Sequence, residues 1–456
     1  ALHTALRQND PQPLIIEGVN LREEILHARQ QMATICEKLH TGNWLGATGE
    51  PIKDLVHIGI GGSHLGPECV LTALSHPKER KPRVHFVSTV DGEQLQQTLN
   101  QLDPNRTLIV LASKSFGTQE TLVNGTHAKN WLQRSLPAES GIANHLIAVT
   151  ANKQAALDFG IPEEQILSFW SWVGGRYSVW SAVGLPIAAA LGYGTFEQFL
   201  TGAARMDQHF RTAPLDSNMP VLMALIGIWY IDFFGARSHA ILPYDWRLRL
   251  FPEAIQQCDM ESNGKSVSSD GLSLPYATGP VIWGKSAIDA QHAFYQHLHQ
   301  GNPWTPCDLI ACAQPVFPEH NHDILFANFV AQSRALMLGR NSEQVARDLA
   351  KHTVSDAQRR LLISAKVCPG NRPSNSLLLS TLSAETVGML LALYEHKIFV
   401  QGHIWGINSF DQMGVELGKE IAHEVSAQLK HAEPGKQLDS SSHGLISKYL
   451  ENTRKS

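Results

Sequence analysis

The sequence predicts an α/β protein containing two doubly wound parallel sheets, and three observations carry that prediction. Short apolar, β-branched runs alternate with helix-like segments through residues 54–169, as in sheets whose strands are covered on both faces by helices. A second, less regular series of the same kind runs from 239 to 382. The chain has 456 residues, 43% hydrophobic and 17% charged, enough for two or three domains with large cores and too apolar for disorder.

The elements follow in order. The chain opens in a helical pattern at Leu2 and Leu6, and residues 1–50 are expected to form a helical segment. It starts at Ala1 rather than Met, which leaves room for residues upstream. Strands are expected in DLVHIGIG (54–61), RVHFVS (83–88), TLIVLAS (107–113), HLIAVT (145–150) and ILSF (166–169). These define a first domain over 51–200. A mostly helical stretch runs from Ser178 to Phe234. Its run Val221 to Phe234 is interrupted by Asp232 and is too short to span a bilayer, so it is expected to be a buried core helix. Strands resume at HAILPY (239–244), VIWG (281–284), DLIACAQ (308–314) and SNSLLLSTL (374–382), giving a second domain over 201–430. The chain turns helical again after Glu385, and the polar tail, 431–456, is expected to be an arm.

Charge and composition exclude several classes of function. The net charge is −5 and basic residues cluster no further than pairs such as Arg359 and Arg360, so neither nucleic acid nor membrane is an expected partner. The six cysteines form no CxxC pair and read as reduced core residues. The 22 histidines show no HExxH spacing, so no metal is expected.

Six segments carry chemistry. In HIGIGGSHLGP (57–67) a strand runs into Gly61, Gly62 and Ser63 before a helix starting near Pro67. Glycine permits close backbone approach, which suits a sugar or phosphate at Gly62 and Ser63, or else a tight turn with no ligand. His64 stands where a dinucleotide fingerprint needs glycine. In SKSFGTQET (113–121), Ser113, Lys114, Ser115 and Thr118 crowd the start of a helix, a setting for a phosphate dianion, although capping is the commoner role of such hydroxyls. Both loops follow neighbouring parallel strands, where open α/β sheets bind ligands. In VGGRYSVWSAVGLP (173–186), Arg176 follows two glycines and could hold a developing oxyanion, or pair with a structural carboxylate. In QQCDMESNGKS (256–266), Glu261 ends an apparent helix, where the dipole tends to raise a carboxylate's pKa toward the range of a general base; an exposed turn glutamate is the plainer alternative. In QHAFYQHLHQG (291–301), His292 is expected to begin an amphipathic helix, with His297 and His299 as bystanders. In GINSFDQMGVELGKE (406–420), Gln412 and Lys419 stand one heptad apart, near one face of a helix.

No single segment decides, but their joint order does. GIGGSxLGP, SKxFxTQET, VGGRYSxWSAxGL, MESNGK, QHAFYQxxHQG and GxNSFDQxGVELGK together resemble the glucose-6-phosphate isomerase family over nearly the whole chain. Relative to longer members the chain looks incomplete at its N-terminus. The resemblance implies reversible aldose–ketose isomerisation of glucose 6-phosphate and fructose 6-phosphate through an enediol. It implies no cofactor, a cytoplasmic place in glycolysis and gluconeogenesis, and two sugar-isomerase (SIS) type domains in a homodimer. It assigns Glu261 as the base, Arg176 as stabiliser of the enediolate, and His292 with Lys419 as the ring-opening pair, His292 being donated by the neighbouring subunit. Ser113, Lys114, Ser115 and Thr118 match the phosphate loop, and Gly62, Ser63, Glu120, Gln257 and Gln412 match sugar-contacting or supporting positions.

Several positions depart from the family pattern. His64 replaces a usual aspartate, Ser115 and Gly117 replace threonines, and Met413 replaces a tryptophan. AIDAQH (287–292) stands where a glycine-rich GTNGQH is usual, which puts the presentation of His292, and with it ring opening, in question. Two rivals are a non-catalytic sugar-phosphate sensor on the same fold and a nicotinamide-dependent dehydrogenase. The sensor has no need of Glu261, Arg176, His292 and Lys419 together, and the dehydrogenase lacks its third glycine.

Overall fold

The computed structural model describes residues 2–8, 12–75, 81–137, 141–316, 320–431 and 438–453. The chain forms two compact units, Ala1–Ser409 and Phe410–Ser456, and the first contains both expected sheets.

The first sheet comprises β1 (Asp54–Gly59), β2 (Arg83–Val87), β3 (Thr107–Ala112), β4 (Leu146–Thr150) and β5 (Ile166–Ser168). They lie in the order β2-β1-β3-β4-β5, all parallel. Every residue of β1, β3 and β4 is buried, which explains why these strands read as continuous apolar runs without alternation. Val56, Ile58, Ile109 and Leu111 pack into one core cluster, whereas Leu55, Leu108 and Val110 point to the other face and join a larger one. The chain leaves β1 for β2 on one side and places β3 on the other. A crevice therefore opens at the carboxyl ends of β1 and β3, the expected position for a ligand in such a sheet. Gly59 pairs with Ala112, so the loops that follow start at the same level.

The second sheet comprises β6 (Ser238–Tyr244), β7 (Val281–Gly284), β8 (Cys307–Cys312) and β9 (Ser374–Leu379), in the parallel order β9-β8-β6-β7. Ile241 and Ile310 enter the same large cluster that receives the inner face of the first sheet, and Ala240, Leu242 and Leu309 pack under helices on the outer face. The helix Phe251–Asn263 follows β6 and carries Glu261 in its last turn.

Three local expectations need correction. The run Val221 to Phe234 is not a buried core helix. It forms an α-helix over Met219–Ile228 and then one π turn, and it leaves Trp229 53%, Phe233 76% and Phe234 55% exposed. A segment apolar on every side cannot be assigned a buried face by periodicity. His292 does not begin a helix: it caps the C-terminal end of the short helix Ala287–Gln291, and the next helix is Tyr295–Gln300. Gln412 and Lys419 do not share a helix either, because Gln412 precedes a 3-10 turn and the helix runs from Glu416 to His431.

Candidate active site

The site is assembled from five of the six motifs. Gly62 lies directly against the Gly175–Arg176 peptide. A Cβ at Gly62 would stand 2.1 Å from the carbonyl carbon of Gly175 and 2.4 Å from the nitrogen of Arg176. Only glycine permits that approach. Ser178 reinforces it by donating its hydroxyl to the carbonyl of Gly62 at 3.3 Å. On the other side of the loop, His57 Nε2 bonds the carbonyl of Ser63 at 2.7 Å. Burial pushes the His57 pKa down to about 4, so this imidazole is neutral at pH 7 and serves as a fixed donor.

Arg176 is held from three directions. Its Nε donates to Ser262 Oγ at 2.7 Å and its Nη2 to the carbonyl of Ser409 at 2.7 Å, while Nη1 lies 3.5 Å from Glu261 Oε2. Tyr177 meets Ser262 Oγ at 2.8 Å through its phenol. The arginine side chain is 3% exposed and the glutamate 23%, so the cation is shielded and the carboxylate reachable. Gln257, one helical turn before Glu261, donates to the same Oε2 at 3.1 Å. Lys265 donates to the carbonyls of Glu261 and Ser262, each at 2.8 Å, and so closes the end of the helix that presents the base.

After β3, the hydroxyls of Ser113 and Thr118 meet at 3.1 Å. Thr118 occupies the N-cap position of the helix Gln119–Ser135, yet its side chain makes no capping bond. The amides of Lys114, Ser115 and Thr118 donate to no acceptor among the described residues. Hydroxyls and amides facing a common loop suit a phosphate. The ammonium of Lys114 instead donates to the carbonyls of Ser171 and Val173 at 2.6 and 2.9 Å. Glu120 is half-buried in the first turn of that helix.

The sequence profile of phosphoglucose isomerase matches residues 1–446. The chain belongs to the phosphoglucose isomerase family. A glucose-6-phosphate isomerase of Methylococcus capsulatus is 49% identical over 455 residues, covering 99% of this chain and 83% of the relative. One from Hahella chejuensis is 47% identical over 450 residues, covering 98% and 81%. Among solved structures, a glucose-6-phosphate isomerase from Chlamydia trachomatis superposes with a TM-score of 0.81 at 33% identity, covering 99% of this chain and 81% of that one. The mixed α/β fold with parallel sheets is that of the family, and nothing in these comparisons supports a non-catalytic sensor.

Within the family pattern, Gly62, Ser63, Arg176, Gln257 and Glu261 are brought together here. His292 is exposed, and no hydrogen bond or ion pair among the described residues links it to Glu261 or Arg176. Gln412 and Lys419 belong to the unit Phe410–Ser456, where Lys419 is exposed and lies 3.7 Å from Glu416. AIDAQH builds the short helix Ala287–Gln291, whose Ala287 and Ala290 are sunk in the second sheet's outer core. Sequence reasoning assigned no role to Ser262, Tyr177, Lys265 or Ser409. All four lie inside the quoted motifs, and a serine directly after the base was the signal available.

Proposed function

We propose that this chain is a glucose-6-phosphate isomerase that interconverts glucose 6-phosphate and fructose 6-phosphate by moving one proton between C2 and C1. The observation that carries the reading is the Arg176–Glu261 pair, a shielded guanidinium 3.5 Å from a reachable carboxylate inside the family fold. Gln257 and Arg176 both approach Oε2, which supports Oε1 as the oxygen that takes the proton from C2 and returns it to C1. Arg176 cannot deprotonate and is pinned by Ser262 and Ser409, so it offers fixed positive charge to the enediolate oxygens without reorganising. Ser113, Ser115 and Thr118, with the amides of Lys114 and its neighbours, hold the phosphate. Gly62, Ser63, Glu120 and Gln412 contact or support the sugar.

The ring-opening acid and base are His292 and Lys419, with His292 reaching in from a second copy of the chain. Its exposure and the aromatic face at Trp229, Phe233 and Phe234 support a homodimer. The functional division follows the two sheets, 51–200 and 201–430, with 1–50 and 431–456 as additions. Six free thiols favour a cytoplasmic enzyme of glycolysis and gluconeogenesis. The test supplies fructose 6-phosphate with a chelator present and detects glucose 6-phosphate. Formation at an ordinary enzymatic rate supports the reading, and no formation by folded protein overturns it.

A further inference from the structure

Three anchors meet on the loop 170–176. Gly62 abuts its end at Gly175, Ser262 and Ser409 hold Arg176, and the Lys114 ammonium binds its start at Ser171 and Val173. Gly62 and Ser262 belong to the sugar and base motifs and Ser409 to the segment 406–420, whereas Lys114 comes from the phosphate loop. The carbonyl of Lys114 is itself fixed, accepting from Thr150 Oγ1 at 3.1 Å and from the amide of Ala151 at 2.9 Å. The backbone of Lys114 is therefore part of one loop and its side chain the tie to the next.

We propose that Lys114 is a positioning residue that couples the phosphate loop to Arg176, rather than a direct ligand of the phosphate. The inference rests on the isomerase reading above. Only two residues, Gly174 and Gly175, separate Val173, which Lys114 holds, from Arg176, and neither carries a side chain to fix the peptide. Without the tie, the start of this loop loses both hydrogen bonds that Lys114 supplies. No carboxylate pairs with the Lys114 ammonium among the described residues, and desolvation lowers its pKa. Its hydrogen-bonding capacity is thus spent on the two carbonyls of the neighbouring loop. Binding energy collected at the phosphate reaches the reacting carbons by this route, as remote binding energy must if it is to raise kcat.

The test compares wild type with Lys114→Met for isomerisation and for competitive inhibition by inorganic phosphate. Loss of positioning is expected to lower kcat by about 10- to 100-fold while the phosphate inhibition constant rises by no more than about 3-fold. Combined with Arg176→Lys, Lys114→Met should add little further loss, because both act through one group. A phosphate ligand would behave otherwise: the inhibition constant would rise as far as kcat falls, and the two losses would multiply. Either result overturns the proposal. Circular dichroism and the unfolding midpoint establish that the variant is folded, and Lys114→Leu, which also lacks a donor, is read in the same way should Met not be tolerated. An inactive wild type refutes the isomerase reading itself, so the two failures are distinct.

Discussion

Replacing Gly62 by alanine tests the site at its tightest point. The added methyl would meet the Gly175 carbonyl carbon at 2.1 Å and its oxygen at 2.2 Å, roughly 1.3 Å short of an ordinary contact. Both are backbone atoms, so no side chain can rotate away. Arg176 is tied on its far side to Ser262 and Ser409, and the displacement must therefore be absorbed by the peptide that presents it. Overpacking of this kind costs about 1–3 kcal/mol of stability, which a large α/β chain survives. A shift of about 1 Å in a group that stabilises the transition state costs on the order of 10²-fold in rate. Gly62→Ala is thus expected to lower kcat about 100-fold with a much smaller change in KM, since the phosphate hydroxyls lie on another loop. Steady-state isomerisation of fructose 6-phosphate, with glucose 6-phosphate as the detected product, measures both constants, and the thermal midpoint checks folding. A folded Gly62→Ala enzyme with kcat within about 3-fold of wild type would show that contact between the two glycine turns does not position Arg176.

Three further outcomes are expected. Glu261→Gln should leave binding of a non-reactive sugar phosphate nearly unchanged and lower turnover by about 10²–10⁴-fold; undiminished exchange of the C2 proton with deuterated water would remove Glu261 as the base. Mixed dimers of Glu261→Gln and His292→Ala subunits should recover roughly half of wild-type activity, because a two-fold dimer with His292 acting across it places both lesions in one site and none in the other; purified mixed dimers no more active than either parent would assign His292 to its own subunit. Burial pushes the Asp308 carboxyl up, but His239 and Lys397 outweigh it and hold the pKa at about 2, below its ordinary 3.8. This stabilisation is complete above about pH 4 and is lost as pH falls toward 2, about 2 kcal/mol in all. Urea unfolding at pH 7, 4 and 2 should show a smaller acid loss for Asp308→Asn than for wild type, and equal losses would refute the assignment.

The sheets were legible in the sequence because β1, β3 and β4 are buried on both faces and so are apolar throughout. The motif order likewise pointed to Arg176 and Glu261, but not to what aims them. Periodicity failed at Val221 to Phe234, where an all-apolar helix has no polar stripe to mark the side that stays exposed. It failed again at His292, which was expected to begin a helix and instead caps the C-terminal end of the five-residue helix Ala287–Gln291. Ser262 went unread for a different reason. Its partners Arg176 and Tyr177 lie more than eighty residues earlier in the chain, and no local pattern announces a contact at that separation.

The site's geometry divides the reaction's demands between two kinds of residue. The enediolate step needs a cation that does not move and is not hydrated, and the role proposed for Arg176 fits its 3% exposed side chain braced by Ser262 and Ser409. Ring opening and closing requires groups that exchange protons with solvent and admit a bulky closed ring, and His292 and Lys419, proposed for that step, are both exposed. The braced half keeps its glycines at Gly62, Gly174 and Gly175, where a single methyl has nowhere to go at the first of them. If the proposed roles hold, the tie from Lys114 to the loop of Arg176 is where energy gathered at the phosphate would be useful, because it would fix the group that must stay still.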